Sequence, residues 1–419
     1  MSEMIPSPSS ARVAVYGLGY VGLPVAAVLA SRGFDVIGVD ISSRIVDIIN
    51  GGKIHIVEPD LEMVVHAAVS SGKLRATLEA GEADVFIIAV PTPFTTDKQP
   101  DVSFIRKAVE AIAPKLKKGD LVVLESTSPV GTTEQIRDWI GQQRPDLVAP
   151  QGDKDEADIH IAHCPERVLP GSVLRELVDN DRIIGGISVR CAEHAAELYQ
   201  TFVRGEIHLT NARTAELAKL VENAFRDVNI AFANELSNIC DELDINVWEL
   251  ISLANKHPRV NILSPGPGVG GHCIAVDPWF IIAASPAKSK VIRAARDVND
   301  GMPEVVIEKV RAAARKLRAP VVACFGLSYK RDIDDLRESP AMDIVETLAR
   351  EQVGQLLIVE PNLKSLPESL AKSGRLVDIK EAMAEADIIL LLVDHRQFKR
   401  IDRDLLKPKI VIDTRGIWR

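Results

Sequence analysis

The 419-residue sequence predicts an α/β protein in which two doubly wound, parallel-sheet domains are joined by a long central helix. Before about residue 200, and again from residue 318, short apolar runs alternate with helical patterns, as they do in βαβ units. Between these stretches, a helical pattern without glycine or proline covers residues 214–243. Residues 83–93 (ADVFIIAVPTP) and 386–395 (ADIILLLVDH) are similar, which indicates that the two α/β domains are related. The predicted domains are residues 1–200, 201–317 and 318–419.

The first domain opens with a predicted strand over residues 12–16 (RVAVY). A glycine-rich turn follows, then a helix of small residues over 24–31 and a second strand over 35–40 (DVIGVD). Because each strand-like run is short and almost wholly apolar, we expect a parallel sheet that is buried on both faces. Three further strands of this kind are predicted at residues 83–90, 121–126 and 159–163.

The turn after the first strand has the spacing Gly17-x-Gly19-x-x-Gly22, and Asp40 ends the next strand. In a strand–turn–helix unit, such glycines allow a tight turn and let a pyrophosphate approach the helix N-terminus. The acidic residue accepts hydrogen bonds from the adenosine ribose, and its charge would repel a 2′-phosphate. The pattern predicts a Rossmann-like domain that binds NAD rather than NADP. A solvated carboxylate at a strand end is the alternative for Asp40.

Two later strand ends carry hydroxyl groups, in Pro91-Thr92-Pro93 and in Ser126-Thr127-Ser128. They fall where the cofactor crevice of a doubly wound sheet lies, outside the carboxyl ends of the strands. Hydroxyls at these positions can bond ribose or nicotinamide, and ordinary turn or N-cap chemistry is the alternative.

The middle of the chain differs from both ends. After the helix over 214–243, a second helix is predicted at 247–254, followed by a loop rich in glycine and proline at 264–278. A helix as long as 214–243 between two α/β domains is expected to span the domains or to build a dimer interface. The strands predicted for the C-terminal domain are residues 321–325, 355–359, 387–393 and 409–413.

Lys219, Asn223 and Arg226 are spaced i, i+4, i+7 on the long helix, so they share one face. A solvated face is the alternative for such a stripe, but the glycine loop that follows presents Cys273 beside His272. A cysteine in a flexible loop near cationic groups has the setting that lowers a thiol pKa and makes a nucleophile. The other cysteines lie on apolar strand or helix patterns and are predicted to be buried and inert: Cys164, Cys191, Cys240 and Cys324.

Composition excludes several classes of protein. Fifty Lys and Arg against 59 Asp and Glu give a net charge of −9, which argues against a protein that coats nucleic acid or an anionic membrane. The longest apolar runs, 85–90 and 388–393, are far shorter than a membrane helix. Five scattered cysteines without a CxxC pair indicate neither a disulfide framework nor a metal site. With no secretory signal visible at the N-terminus, we expect a cytoplasmic protein.

Several blocks occur in the order found in a known family: GxGYVGLP, PTPF, ESTSPVGTTE, CPERVLPG, KLVENAFRDVNIAFANEL, HPRVNILSPGPGVGGHCIAVDPWF and CFGLSYKRDIDDLRESPA. From about residue 12 to the C-terminus, the chain resembles the nucleotide-sugar 6-dehydrogenases, the relatives of UDP-glucose dehydrogenase. The segments IHIVEPDL and GGHCIAVDPW are most similar to those of the branch that acts on UDP-N-acetyl-D-mannosamine. UDP-N-acetylglucosamine and UDP-glucose are the alternative substrates.

The resemblance implies a four-electron oxidation of the sugar C6 alcohol to a carboxylate, with two NAD+ consumed in turn. Cys273 then resembles the nucleophile that traps the aldehyde as a thiohemiacetal, which is oxidised to a thioester. Lys219 resembles the general acid/base and oxyanion partner, helped by Asn223 and a water near Asp277. Glu166 resembles the glutamate that transfers protons during thioester hydrolysis.

The binding residues implied by the resemblance fall into two groups, and a homodimer is expected in which Arg259 can reach the partner. The substrate group is Arg167, Val168, Lys219, Asn223, Arg226, His257, Arg259, Gly270, Tyr329 and Lys330. The cofactor group is Gly17, Gly19, Tyr20, Val21, Gly22, Asp40, Thr92, Thr127, Thr133 and Arg337.

The sequence departs from UDP-glucose dehydrogenases at two positions. Pro170 stands where these enzymes carry a second glutamate, and Val276 stands where a lysine commonly precedes the aspartate. Both differences are usual in the branch for N-acetylated sugars, so they count against glucose as the substrate. Two rival functions remain: a catalytically silent NAD-binding protein, and a two-electron hydroxyacid dehydrogenase that would not need Cys273.

Overall fold

The computed structural model describes residues 10–95, 97–152, 156–168, 171–271 and 273–418. It divides into two compact units, Met1–Val221 and Glu222–Arg419. The predicted three-domain division at residues 200 and 317 stays a prediction.

The first unit alternates strands and helices. Its elements in chain order are β1 (Arg12–Tyr16), α1 (Gly22–Ser31), β2 (Asp35–Val39), α2 (Ser43–Asn50), α3 (Leu61–Ser70), β3 (Leu74–Thr77), β4 (Val85–Ile88), α4 (Ser103–Ile112), β5 (Leu121–Leu124), α5 (Thr132–Gln143), β6 (His160–His163), α6 (Val173–Asp179), β7 (Arg182–Gly186), α7 (Val189–Gln200), β8 (Ile207–Asn211) and α8 (Ala212–Glu242), which continues into the second unit.

These strands form one sheet in the order β3-β2-β1-β4-β5-β6-β7-β8. Alternate residues of β1 enter separate cores on the two faces, Val13 and Val15 on one and Ala14 and Tyr16 on the other. The five strands predicted for this domain are confirmed, within two residues at each end. A doubly wound α/β domain is therefore confirmed.

The five predicted strands pair in parallel, as expected. β6 is antiparallel to β7, a strand that the sequence did not predict, with Ala162 opposite Gly186 and His163 opposite Gly185. Antiparallel neighbours can be joined without a crossover, so the connection stays at one edge of the sheet. Here the connection between β6 and β7 therefore leaves and returns at the carboxyl end of β6. That connection contains Glu166, Arg167 and Val168.

The second unit begins within α8 and ends in a second sheet. Its further elements are α9 (Val247–Ala254), α10 (Asp277–Ala284), α11 (Lys290–Ala314), β9 (Val321–Phe325), α12 (Pro340–Arg350), β10 (Gln355–Val359), β11 (Gly374–Leu376), α13 (Ile379–Glu385), β12 (Ile388–Leu391) and β13 (Ile410–Asp413).

This sheet is parallel throughout and has the order β11-β10-β9-β12-β13, which repeats the order of the first five strands of the larger sheet. The predicted relationship between the two sheets is confirmed, as are the two predicted helices of the middle segment, α8 and α9.

A buried ion pair fastens α8 to α11 inside the second unit. Arg296 Nη1 donates to Asp227 Oδ1 at 2.5 Å, and Asn299 donates to the same oxygen at 2.8 Å. Asn234 donates to Asn299 at 2.8 Å and accepts the N–H of Gly266, which fixes the start of the glycine loop against α8. In the described part of the chain, no helix is both long and apolar enough to cross a membrane.

Candidate active site

The glycine turn after β1 has the conformation that its sequence requires. Gly17 has a φ of +91° and donates its N–H to Val39 O at 2.8 Å, which ties the turn to the end of β2. A Cβ on Gly22 would lie 1.9 Å from Gly17 O, so only glycine allows α1 to begin here. A Cβ on Gly19 would meet open space, which leaves room for a ligand at the turn.

Asp40 is oriented beside this turn by two backbone donors. Its Oδ2 accepts the N–H of Leu18 at 3.1 Å, and its Oδ1 accepts the N–H of Ser42 at 2.9 Å. Val21, the N-cap of α1, has an apolar side chain, so it does not compete for the N–H groups of the first turn. A pyrophosphate on these N–H groups and a ribose on Asp40 would fit, and this arrangement suits a dinucleotide.

The ends of β4 and β5 are tied together at the predicted crevice. Thr92 Oγ1 donates to Thr127 O at 2.5 Å, and Ser126 Oγ donates to Val90 O at 2.7 Å. Both predicted threonines therefore lie side by side. Their hydrogen bond is also the turn chemistry that was the alternative for these positions.

Thr133 is buried and bound to a residue that the sequence analysis missed. Its N–H and its hydroxyl both donate to Glu216 Oε1, at 2.7 and 2.6 Å, while Gly131 N–H donates to Glu216 Oε2 at 2.6 Å. Glu216 lies in the first turns of α8 and receives the N-terminal N–H groups of α5. Burial raises the pKa of Glu216, while the hydrogen bonds from Thr133 and Gly131 oppose that rise.

Glu166 is held rigidly after β6. Arg182 Nη1 donates to its Oε2 at 2.9 Å, and the N–H of Arg167 donates to its Oε1 at 2.6 Å. Glu166 is 6% exposed and Arg182 2% exposed, so the pair is shielded from solvent. Because Glu166 is buried and held by two donors, it exchanges a proton only with a substrate group or a water that comes within hydrogen-bond distance. This property is expected of a residue that transfers protons in a reaction.

The segment after Glu166 is fixed by a second residue that the sequence analysis did not single out. Glu58, which is buried, accepts the N–H of Gly171 at 2.8 Å and the N–H of Val173 at 2.8 Å. Its place in the block IHIVEPDL was visible, but nothing in the spacing indicated that it binds the CPER segment. Pro170, one of the two departures from UDP-glucose dehydrogenases, lies outside the described residues.

In the second unit, two of the predicted catalytic residues are in direct contact. Asn223 Nδ2 donates to Asp277 Oδ2 at 2.6 Å, and both side chains are buried. Asp277 opens α10, where a carboxylate is stabilised by the helix N-terminus. Its N–H donates to Cys273 O at 2.9 Å, so the cysteine stands one turn before the aspartate.

Cys273 is the exposed cysteine among five, and the other four are buried, as predicted. Burial raises the pKa of Cys164 and of Cys324 to about 12, which keeps these thiols protonated and inert. His272, the predicted neighbour of the nucleophile, lies outside the described residues.

The glycine loop before Cys273 packs against the segment after β9. Gly271 N–H donates to Glu338 O at 3.1 Å. A Cβ on Gly271 would lie 2.8 Å from Tyr329 Cε2, and one on Gly270 would lie 2.3 Å from Glu338 O. Two predicted substrate residues, Gly270 and Tyr329, are thus neighbours, and Lys330 follows them along the chain.

The remaining predicted residues lie nearer the surface. Arg337 is exposed and forms a bidentate ion pair with Asp335, in which Nε donates to Oδ1 at 2.9 Å and Nη2 to Oδ2 at 2.7 Å. Tyr20 is 40% exposed at the glycine turn, Val168 is partly buried beside Arg167, and Lys219 is partly buried on α8, four residues before Asn223. Three predicted substrate residues have exposed side chains: Arg226, His257 and Arg259.

The chain matches three consecutive domains of one protein family. Residues 11–203 match the NAD binding domain of the UDP-glucose/GDP-mannose dehydrogenase family, residues 213–301 its central domain and residues 323–419 its UDP binding domain.

Relatives support the same family over nearly the full length. The NDP-N-acetyl-D-galactosaminuronic acid dehydrogenase of Ralstonia nicotianae is 63% identical, with 97% of this chain and 96% of that protein covered. The UDP-N-acetyl-D-mannosamine dehydrogenase of Escherichia coli K12 is 56% identical, with 98% and 100% covered. The solved UDP-N-acetyl-mannosamine dehydrogenase of S. aureus has a TM-score of 0.85 and 43% identity, with 97% and 95% covered.

A doubly wound domain with a dinucleotide turn, followed by a cysteine loop packed on a second such domain, defines an NAD-dependent nucleotide-sugar dehydrogenase. The chain belongs to the UDP-glucose/GDP-mannose dehydrogenase family. The resemblance seen in the sequence, the enzyme class and NAD as the cofactor are all confirmed.

Proposed function

We propose that the enzyme oxidises UDP-N-acetyl-D-mannosamine at C6 to UDP-N-acetyl-D-mannosaminuronate through a thioester on Cys273. The observation that carries the thioester is the exposed Cys273 one turn before the buried Asn223–Asp277 pair. A two-electron alcohol oxidation does not need a thiol, whereas oxidation of an aldehyde to an acid proceeds readily through one. The substrate is taken from the name of the E. coli relative and from the blocks IHIVEPDL and GGHCIAVDPW.

The chain's own residues supply proton transfer and covalent chemistry. When bound, NAD+ would be held by the glycine-turn residues and would supply the hydride acceptor, with two molecules used in succession, one at the alcohol stage and one at the thiohemiacetal stage. Lys219 takes the proton of the C6 hydroxyl in the first oxidation. The Cys273 thiolate then forms a C–S bond to the aldehyde carbon, and Lys219 returns a proton to the oxygen, which gives the thiohemiacetal. In the second oxidation Lys219 takes this hydroxyl proton again as the hydride leaves C6, which gives the thioester.

Hydrolysis completes the reaction. Water adds to the thioester carbonyl as Glu166 takes one of its protons, and the C–S bond of the tetrahedral adduct breaks to release the carboxylic acid and the Cys273 thiolate. The acid then gives its remaining proton to solvent and leaves as the carboxylate. Asn223 and Asp277, held together at 2.6 Å, position the water and stabilise the oxyanion through the Asn223 amide.

We assign the UDP group to cationic and loop residues. UDP carries about two negative charges, so an acidic chain must concentrate Arg and Lys around it. The residues proposed for this are Arg167, Val168, Arg226, His257, Arg259, Gly270, Tyr329 and Lys330, with Arg337 and the glycine-turn residues on the cofactor side.

A homodimer is proposed on the basis of α8. Phe225, Phe232 and Ile239 are spaced seven residues apart and are 71%, 52% and 44% exposed, an apolar stripe that a second copy of α8 would cover. Arg259, which is exposed, would then reach the partner's substrate. We also propose a cytoplasmic location, because Cys273 must stay reduced to act.

A second substrate is favoured by one observation. The R. nicotianae relative, at 63% identity, is named for N-acetyl-D-galactosaminuronic acid. The galactosamine and mannosamine forms both carry the N-acetyl group, so the same C6 chemistry would serve either. UDP-N-acetylglucosamine and UDP-glucose remain the weaker alternatives.

The deciding experiment is the yield of NADH with limiting sugar nucleotide. With UDP-N-acetylmannosamine we expect two NADH per sugar. With the UDP forms of N-acetylgalactosamine, N-acetylglucosamine and glucose, we expect NADH to form at less than about a tenth of the rate seen with UDP-N-acetylmannosamine. Two NADH with the galactosamine form in its place would move the assignment to that sugar. One NADH per sugar, or full activity of Cys273→Ser, would overturn the thioester route, and no NADH with any sugar would favour the silent binding protein.

A further inference from the structure

We propose that Glu125 is a positioning residue for Glu166: a second carboxyl group that holds a proton and thereby leaves Arg182 to the ionised Glu166. The inference rests on the proposed function, in which Glu166 takes a proton from the hydrolytic water. Glu125 follows β5 and takes no part in the proposed catalytic steps.

The sheet topology brings the three residues to one place. Strand β5 is parallel to β6, with Leu124 opposite His163, so Glu125 lies beside the segment that carries Glu166. Strand β7 is antiparallel to β6, so its first residue, Arg182, lies at the same edge. The antiparallel pair that the sequence did not predict is therefore what supplies the cation.

The hydrogen bonds divide unequally between the two acids. Glu166 accepts from Arg182 at 2.9 Å and from the N–H of Arg167 at 2.6 Å. Glu125 accepts the phenol of Tyr199 on its Oε1 at 2.5 Å, and its Oε2 has no hydrogen-bond partner among the described residues. The second Nη of Arg182 donates to Leu177 O at 3.1 Å.

Charge balance then fixes which acid keeps a proton. Glu125, Glu166, Arg182 and Tyr199 are each at most 6% exposed, and Arg182 is the single cation among these four. Two ionised carboxylates beside one guanidinium would leave a net negative charge without water to stabilise it. Glu166 has the charged donor and Glu125 has only a phenol, so Glu125 is the neutral member.

The other titratable groups around Glu125 agree with this assignment. Burial, and next the charge of Glu166, raise the pKa of Glu125 to about 8. Burial raises the pKa of Tyr199 well above 10 and that of Cys164 to about 12, so both stay neutral. Arg182 is the charged group that opposes the rise.

The consequence is a limit to hydrolysis at high pH. When Glu125 loses its proton, its carboxylate competes with Glu166 for Arg182 and adds a negative charge beside the base. Glu166 then rests in a different position and the thioester is hydrolysed more slowly. A group with a pKa of about 8 is about one-tenth protonated at pH 9, so we expect kcat at pH 9 to be about a tenth of kcat at pH 7.

The test compares this ratio of kcat values in Glu125→Gln with the ratio in the native enzyme. The glutamine amide stays neutral and can still accept from Tyr199, so the ratio should rise from about 0.1 towards 1. Intact-mass spectrometry of acid-quenched enzyme should show the thioester accumulating at pH 9 in the native enzyme and not in Glu125→Gln. Asp120→Asn is the matched control, because Asp120 is a buried acid with a pKa raised to about 6 at the opposite end of β5, and its ratio should stay at about 0.1.

Tyr199→Phe provides a second variant should Glu125→Gln not fold. The phenol stabilises the ionised carboxylate, so its loss should move the alkaline decline to higher pH. The inference would be overturned if both variants kept the native ratio of kcat at pH 9 to kcat at pH 7. It would also be overturned if Asp120→Asn raised that ratio as much as Glu125→Gln does. Full two-NADH activity in Cys273→Ser would instead overturn the proposed function, and the infrared carboxyl band of Glu125 in the resting enzyme would then still report whether it holds a proton.

Discussion

The turn after β1 and the turn after β9 have the same backbone but serve different purposes. Gly17 and Gly326 have φ values of +91° and +92°, and each donates its N–H to the last residue of the neighbouring strand, at 2.8 and 2.9 Å. In each turn, the next residue donates its N–H to an acid that follows that strand. The two sheets therefore share their strand order and also the details of their first turn.

The two acids differ in what else they bind. Asp40 is partly buried and accepts two backbone N–H groups, which leaves its remaining lone pairs for the ribose that we propose it binds. Glu360 is 3% exposed and accepts from Leu327, from Asn362 and from His395 Nε2 at 3.1 Å. Both carboxylate oxygens of Glu360 thus accept hydrogen bonds from the protein itself.

His395 completes this buried network. Asp332 N–H donates to its Nδ1 at 2.8 Å, so Nε2 carries the proton that is donated to Glu360. The segment after β9 is held by this contact, whereas the segment after β1 enters a helix at once. In the first turn Gly22 opens α1, and in the second the chain continues to Ser339 before α12 begins.

The same strand order and turn conformation therefore do not by themselves determine which ligand a turn can bind. A helix that begins directly after the glycine turn offers N–H groups to a pyrophosphate. A long segment fastened by His395 and Glu360 instead carries Tyr329 to the cysteine loop. The use of each turn is therefore determined by the segment that comes after it.

The largest expected effect comes from closing the first turn. Gly22→Val places a side chain on Gly17 O, so we expect the affinity for NADH to fall by at least about a hundredfold, or about 3 kcal/mol. UDP binding, which we assign to residues outside this turn, should be retained. Calorimetric titration with NADH and with UDP measures both, and Gly141→Ala, where a Cβ meets open space on α5, is the control. Normal NADH affinity in Gly22→Val would show that the turn does not hold the cofactor.

A smaller but still large effect is expected on stability from the second acid. Glu360→Ala leaves buried donors of Leu327 and His395 unpaired, which should lower the free energy of unfolding by about 3 kcal/mol. Urea unfolding followed by tryptophan fluorescence measures the change. Asp40→Ala, at the corresponding place in the first sheet, should cost about 1 kcal/mol or less. Equal losses would contradict the difference in burial that separates the two acids.

Asp40→Ala should in turn affect the cofactor. Loss of a charged acceptor for the ribose hydroxyls should raise KM for NAD+ about tenfold, with kcat changed less than about twofold. Steady-state kinetics at saturating sugar nucleotide gives both constants. Asp40→Asn keeps an acceptor oxygen and should recover part of the loss. A change in kcat alone would place Asp40 outside the ribose site.

The smallest effect concerns pH. Burial by itself would raise the pKa of Glu360, but the hydrogen bonds from His395 and Leu327 outweigh it and hold the pKa below its ordinary 4.5. The stability that this carboxylate contributes is therefore present above pH 4.5 and is lost as the pH falls below that value. Thermal unfolding between about pH 6 and pH 3.5 should show a shallower acid decline in Glu360→Gln than in the native chain. An unchanged decline would mean that other carboxylates govern it.

The parts of this fold that depend on a local residue pattern could be predicted from the sequence. RVAVY before a glycine turn predicts β1, and β4 could be predicted because all its side chains are buried and form an apolar run. β8 was missed because its residues are partly or fully exposed and do not form an apolar run. β3 was missed because it is short and buries only Leu74 and Ala76.

Charged residues of the candidate site were predictable to different degrees. Asp40 followed from the glycine motif and Lys219 from its spacing with Asn223 on one helix face, whereas Glu166 could be named only because its block resembles known enzymes. Arg182 could not, since a buried arginine and a surface arginine look the same in a sequence, and its partner depends on the antiparallel pairing of β6 with β7. Glu58 and Glu216 bind backbone N–H groups more than 80 residues away, a relation that no spacing rule contains.

The burial of four cysteines has a practical consequence for anyone who handles this enzyme. A mild thiol-alkylating reagent meets one accessible thiol per chain, Cys273, because the other four thiols are buried. If Cys273 acts as we propose, the number of labels taken up counts the intact active centres in a purified batch. Under the proposed mechanism, oxidation or alkylation of the exposed Cys273 by peroxide or an electrophile would abolish activity.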